Sequence, residues 1–275
     1  MSILGPDIPD SIDSKFAGLV DSARSGWFQQ DSDEFFSGFD VSAADVLLDV
    51  GCGEGAATLF CAERGAHVIF SDINSTVVAK VEEKVKQQAT AREYQAIVCD
   101  SNPLPVPDAC ASRIVCMEVL EHVDDPASVM RELVRAGKPG ALYLITVPGE
   151  RGEKIQQHSA PASYFEKPNH IRIFDSQSFQ TLVEGSGLSV ESFSETGFFW
   201  VMWMSLHWAV EGEKQRAAGG GETALRELEP PFDDALDRWA ALWVKFTSTP
   251  EGLAFKHQMD KILPKHQVIV ARKPG

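Results

Sequence analysis

The stretch Val46-Leu47-Leu48-Asp49-Val50-Gly51-Cys52-Gly53-Glu54-Gly55 decides the fold. A short apolar run with one acid reads as a strand buried on both faces. Glycines at 51, 53 and 55 suit a chain that bends sharply and keeps its backbone close to a neighbour. A helical pattern then runs from about Ala56 to Arg64. Working outward, HVIFSDI (67–73), QAIVCD (95–100), SRIVCMEV (112–119) and ALYLITV (141–147) repeat the strand signal. Helical segments separate them. Asn74 and Ser75 can cap one, and Pro126 opens another that runs to about Arg135. Strands alternating with helices at this spacing predict an α/β fold, with a parallel sheet covered on both faces.

The flanks are less regular. Residues 11–24 place Phe16, Leu19 and Val20 at helical spacing, so residues 1–45 read as an N-terminal helical cap. Residues 149–169 read as a loop. Asp175 caps a helix that ends near Gly185, LSVESFSE (188–195) alternates as a sixth strand, and HQVIVAR (266–272) is a last apolar run. The predicted core is therefore 46–200 with 265–275, and 201–264 is a helical, tryptophan-rich insertion. Gly219-Gly220-Gly221 reads as a flexible link within it.

Composition narrows the function classes. The 275 residues carry a net charge of −15. Nucleic-acid binders use basic faces to neutralise phosphate, so the acidity argues against a nucleic-acid partner. No 18-residue apolar run predicts a membrane span, and the amino terminus lacks the basic region of a secretory signal. Five cysteines without a CxxC spacing fit a reducing compartment, so a cytoplasmic location is expected.

Gly51, Gly53 and Ala56 satisfy the GxGxxG/A pattern of a dinucleotide-binding turn, a signal that is weak alone. Its surroundings add to it. Asp72 ends the second strand, where a carboxylate can accept both hydroxyls of a ribose. Asp100 ends the third, where one can accept from an adenine amino group. Both lie at carboxyl ends of strands, beside the switch point of an open α/β sheet. The plainer reading makes each a helix cap. A nicotinamide dehydrogenase is the competing class. It calls for a Tyr-x-x-x-Lys pair or a second catalytic domain, and none of Tyr94, Tyr143 and Tyr164 has a lysine four residues on.

The order DVGCGEG, Asp72, Cys99-Asp100, CMEVLEHV and KPGALYLITVPG resembles the class I S-adenosylmethionine-dependent methyltransferases. CMEVLEHVDDPASVMRELVRAGKPG (116–140) is most similar to the ubiquinone-biosynthesis O-methyltransferases. The resemblance covers about residues 40–195 and the last strand. It implies a Rossmann-like seven-stranded sheet of order 3-2-1-4-5-7-6 with the seventh strand antiparallel. It also implies that Gly51 and Gly53 approach the methionine part of the cofactor. Asp72 then holds the ribose, Asp100 with Ser101 the adenine end, and Glu118 the methionine side. Asp49, Cys52 and Ile73 complete the expected cofactor set. The implied reaction is methyl transfer to a small-molecule acceptor, with a hydroxyl oxygen favoured by one short motif. A nitrogen acceptor and a non-catalytic nucleoside-binding module are the alternatives.

Glu118, Glu121 and His122 follow the fourth strand, and they share a face if a helical turn begins there. Crowded carboxylates and an imidazole repel unless a cation offsets them. Oxygen and imidazole donors suit magnesium, manganese, iron or zinc. With His170 in KPNHIRIF, the pattern is similar to the Glu-x-x-Glu-His plus distant His of the small-RNA 2′-O-methyltransferases, which implies a metal beside the accepting hydroxyl. Such an RNA acceptor is again disfavoured by the acidity. Methyltransferases without a metal carry similar segments, so His122 and His170 also stand as acid–base candidates or as packing residues. Trp200, Trp203, Trp208, Trp239 and Trp243 give the insertion its own apolar surface. Trp239 and Trp243, four apart, read as helix packing, and Trp200, Trp203, Met204 and Trp208 as a lid over the acceptor; a partner contact and, least favoured, a membrane contact are the other readings. Oligomeric state is not legible.

Overall fold

A computed structural model describes residues 8–88, 90, 93–217 and 232–275. In chain order the elements are α1 (Ser14–Arg24), β1 (Trp27–Gln29), β2 (Glu34–Phe36), β3 (Phe39–Asp40), β4 (Val46–Val50) and α2 (Ala56–Glu63). Then come β5 (His67–Asp72), α3 (Ser75–Lys86), β6 (Tyr94–Val98), β7 (Ala111–Met117), α4 (Pro126–Ala136) and β8 (Gly137–Pro148). The chain closes with α5 (Glu150–Gln156), a 3-10 turn (Ala162–Phe165), α6 (Ser176–Gly185), β9 (Ser189–Thr196), α7 (Phe198–Ala217), α8 (Asp234–Thr247), α9 (Pro250–Ile262) and β10 (His266–Arg272). These elements form two compact units. One comprises Gly26–Val147, Phe174–Ser194 and Gln267–Gly275, and the other the residues up to Ser25 with Pro148–Ile173 and Glu195–His266.

The first unit holds a seven-stranded sheet ordered β6-β5-β4-β7-β8-β10-β9. Counted from β4 as the first core strand, this is the expected order 3-2-1-4-5-7-6. β4 pairs in parallel with β5 and β7, β5 with β6, and β7 with β8. β10 runs the other way, because Lys273 just past its end bonds Gly140 and Ala141 near the start of β8. From β4 the chain builds first toward β6 and then, from β7, toward the opposite edge. The loops after β4 and β7 therefore part at a switch point, the usual ligand crevice of such sheets. Leu47, Leu48, Asp49 and Val50 are all buried, which explains the unalternating run. The expected caps form: Asn74 accepts from the Thr76 amide and Asp175 from Ser178. Ahead of Pro126, Asp125 accepts from the Ser128 amide and caps α4.

Two expectations fail here. Residues 27–40 are not part of a helical cap but a three-stranded antiparallel sheet, β1-β2-β3. Its aromatics bury against α2, with Phe35 and Phe60 ring centroids 5.3 Å apart. Residues 149–169 are not a plain loop, since they include α5 and the 3-10 turn.

The second unit is helical. Ala17, Val20, Phe199, Trp203, Ala240 and Val244 lie in its core. Of the tryptophans expected as a lid, Trp203 and Trp208 are buried in this core and Trp200 packs on it; Trp243 and Trp239 join it as the helix packing their spacing predicts. The triple glycine at 219–221 lies outside the described residues. A polar cluster sits inside the unit. The Lys256 ammonium is fully buried, 2.7 Å from Asp260 Oδ2, 3.2 Å from Asp21 Oδ2 and 2.6 Å from Ser25 Oγ. Asp21 Oδ1 accepts from the Trp243 indole at 2.8 Å. Asp260 Oδ1 accepts from the amides of Gly197 and Phe198 and so caps α7. Among the described residues no helix is long and apolar enough to cross a membrane.

Candidate active site

The loop after β4 is shaped by its glycines. Gly51 has φ +73°, and a Cβ there would lie 2.3 Å from Val119 Cγ2. Its amide and that of Cys52 both donate to the Ser71 carbonyl, at 2.8 and 2.9 Å, which anchors the loop to β5. Gly53 has φ +50°, and a Cβ built on it meets nothing within 4 Å. The loop thus presents bare backbone to open space, then enters α2 from Gly55 with no side-chain cap.

Asp72 borders that loop, and Asp100 and Glu118 follow the ends of β6 and β7. Asp72 Oδ2 accepts from the Gly53 amide at 3.3 Å and Oδ1 from the Asn74 amide at 2.9 Å. Asn74, not Asp72, caps α3, so the cap reading of Asp72 is replaced by a turn that ties it to the glycine loop. Ile73 beside it is 75% exposed, an apolar surface fit for a planar base. Asp100 is exposed and accepts from the Asn102 amide at 3.3 Å. Ser101 is buried with φ +69°. Glu118 has φ +54° and accepts from Thr146 Oγ1 at 3.0 Å. Open backbone, two ribose-ready or base-ready carboxylates and a third acid fit a nucleoside with a cationic amino-acid tail.

Asp49 lies beneath the loop. Its carboxylate is buried and accepts from Thr58 Oγ1 at 2.7 Å. Burial pushes its pKa up to about 6, with the Thr58 hydrogen bonds holding it down and the Asp72 charge raising it. The folded state therefore holds this proton more tightly than the unfolded chain, whose aspartates titrate near ~3.9. The resulting stabilisation is full below that pH and is lost as pH rises to about 6. Two pH units correspond to about 3 kcal/mol. Asp49→Asn removes the effect. Urea unfolding at pH 4.5 and 7 is expected to show the variant gaining on the wild type by about 2 kcal/mol between the two. Burial also pushes the Cys52 thiol up to about 12, so it serves as loop packing and not as a nucleophile.

The predicted Glu-x-x-Glu-His arrangement forms only in part. No helical turn begins at Glu118, because its backbone is left-handed and residues 119–125 are turns and bends. Glu118 is held by Thr146, whereas Glu121 is fully buried with Oε1 3.6 Å from His122 Nε2. His170 belongs to the helical unit. There its Nδ1 lies 2.8 Å from Oε2 of Glu153, a carboxylate only 1% exposed. Glu153 Oε1 is 3.5 Å from both Lys265 Nζ and Tyr164 Oη, and Lys265 Nζ donates to Tyr164 Oη at 3.1 Å. The Tyr164 ring packs on His170 with centroids 4.3 Å apart. Glu153, Tyr164 and Lys265 carry no sequence signal. ERGEKIQ reads as a solvated charge run, and the contacts join residues far apart in the chain.

A family model described as "Methyltransferase domain" matches residues 29–192. The ubiquinone biosynthesis O-methyltransferase of Aeromonas salmonicida strain A449 is 29% identical over 154 residues, covering 54% of this chain and 64% of that protein. The protein of the same name from Hahella chejuensis is 36% identical over 103 residues, covering 37% and 42%. The match thus spans roughly half the length of these relatives. Among solved structures, an S-adenosylmethionine-dependent methyltransferase from Mesorhizobium loti is similar with a TM-score of 0.51 at 17% identity, covering 83% of this chain and 91% of that one. The [4+2]-cyclase SpnF is similar with a TM-score of 0.55 at 16% identity, covering 95% and 80%. These two likenesses concern the fold. The chain belongs to the methyltransferase domain family.

Proposed function

We propose that the protein methylates a hydroxyl oxygen of a small-molecule acceptor by direct displacement, with His170 taking the hydroxyl proton. The observation that carries this reading is the Glu153–His170 pair, a buried carboxylate 2.8 Å from an imidazole that is itself 10% exposed. A positioned histidine is the commonest protein base. S-Adenosylmethionine supplies a methyl group activated by the sulfonium. The chain's part is to hold donor and acceptor in line, the main source of acceleration for a displacement. In this reading Gly51, Cys52 and Gly53 offer backbone to the methionine moiety. Asp49 underpins the loop, and Glu118 lies at the ammonium. Asp72 takes the ribose hydroxyls, Ile73 covers the base, and Asp100 with Ser101 meets the adenine edge. The names of the curated relatives support oxygen as the acceptor atom, and the net charge of −15 supports a small molecule over a nucleic acid.

A second reading puts a divalent ion on Glu118, Glu121, His122 and His170. The closeness of Glu121 and His122 favours it, because a metal would lower the pKa of a bound hydroxyl. The engagement of Glu118 by Thr146 counts against a four-residue set.

The test is transfer of labelled methyl from S-adenosylmethionine to phenol, glucose and aniline, for wild type and His170→Gln. Label on a hydroxyl compound, with kcat lowered about 10²- to 10⁴-fold in the variant, is expected. Label on aniline alone would reject the oxygen acceptor, and undiminished turnover by His170→Gln would reject the base. Calorimetry with magnesium, manganese and zinc decides the second reading, which requires one saturable site.

A further inference from the structure

We infer that Glu153 is a positioning residue: it fixes the His170 imidazole as the tautomer with its proton on Nδ1 and its lone pair on Nε2. The inference rests on the proposed role of His170 at the acceptor, and it holds whether that imidazole receives a proton or binds a metal.

The geometry distinguishes this role from simple charge balance. Glu153 is almost fully buried, and its shortest polar contact is with His170 Nδ1, at 2.8 Å. Its contacts with the Lys265 ammonium and the Tyr164 hydroxyl are both 3.5 Å. Lys265 lies 3.5 Å from Oε1, the oxygen that His170 does not contact, so Oε2 is left to the imidazole. A carboxylate accepts and does not donate, which places the imidazole proton on Nδ1. The ring is fixed in two further ways. Its face packs on Tyr164, and its main-chain amide donates to the Tyr164 carbonyl at 3.1 Å. Tyr164 is in turn held by Lys265. Orientation of a reacting or ligating histidine through its second nitrogen is a general device, and loss of the orienting group typically costs about 10- to 100-fold.

The test uses the full chain with ¹⁵N-labelled histidine, loaded with S-adenosylhomocysteine, at pH 8. Ring ¹⁵N–¹H correlation spectra are recorded, and His170 is identified by the signals lost in His170→Gln. The wild type is expected to show protonated Nδ1 and a pyridine-type Nε2. Glu153→Gln should abolish that signature and Glu153→Asp should restore part of it, with folding checked by circular dichroism. If Glu153→Gln does not fold, Glu153→Asp decides by a shifted tautomer ratio. With phenol as acceptor, kcat should fall about 10- to 100-fold in Glu153→Gln while KM for S-adenosylmethionine stays unchanged. A proton on Nε2 in the wild type, a signature unmoved by both substitutions, or a lost signature with unchanged kcat would each overturn the inference. Failure to methylate phenol would count against the hydroxyl reading and leave the tautomer result to decide the role of Glu153.

Discussion

Lys256→Met is expected to destabilise the helical unit by about 3–5 kcal/mol, the usual cost of removing one partner from a buried ion cluster. For a chain of this size that is on the order of 10 °C in melting temperature. Lys256 is the cation facing two buried carboxylates, Asp21 and Asp260. Asp260 accepts from two amides at the start of α7, and Asp21 accepts from the Trp243 indole. Burial is the main cause of a raised Asp21 pKa, with Lys256 lowering it and Asp260 raising it. Because folding raises this pKa, the proton on Asp21 stabilises the fold most at low pH. That stabilisation is lost as pH climbs past the unfolded value of ~3.9 and through the folded one. Without Lys256 the penalty at neutral pH grows, so the variant's deficit should shrink on acidification. Adding Asp21→Asn should recover a large part of the loss, since the amide still accepts from the indole. Calorimetric melting of the four proteins (wild type, both single variants and the double) checks this. A deficit below 1 kcal/mol would show that the cluster does not hold the helices together.

The second large effect separates two neighbouring glycines. Gly53→Ala is expected to fold, at a cost of about 1–2 kcal/mol for its left-handed backbone. A Cβ there meets nothing in the protein. It would, however, fill the space assigned to the cofactor, so S-adenosylhomocysteine affinity should fall at least about tenfold, or ~1.4 kcal/mol. Gly51→Ala adds a clash with Val119 to the same backbone strain. Overpacking of this kind costs about 1–3 kcal/mol more. That variant should lose stability and cofactor binding together. Equal affinity in wild type and Gly53→Ala would remove the cofactor from the loop.

The sheet was readable because its signals are local. Strands buried on both faces are continuous apolar runs, and Asn74, Asp125-Pro126 and Asp175 mark helix starts within four residues. The sequence was less informative where burial is polar or elements are short. In α9 the buried residues are Gly252, Lys256 and Asp260, so no apolar stripe reveals the helix. β1 to β3 span only two or three residues each, too few for alternation to register. The proposed cofactor side consists of residues at strand ends, which local sequence marks. Of the proposed acceptor side, the sequence offered only His122 and His170 as candidates. What holds His170, namely Glu153, Tyr164 and Lys265, is assembled from separate stretches by tertiary packing.

The most direct test of the central claim is calorimetric titration of S-adenosylhomocysteine into wild type and Asp72→Ala. The account predicts one saturable site in the wild type and affinity about 10- to 100-fold weaker in the variant, ~1.4–2.7 kcal/mol. Absence of saturable binding, or the same affinity in both proteins, would contradict it.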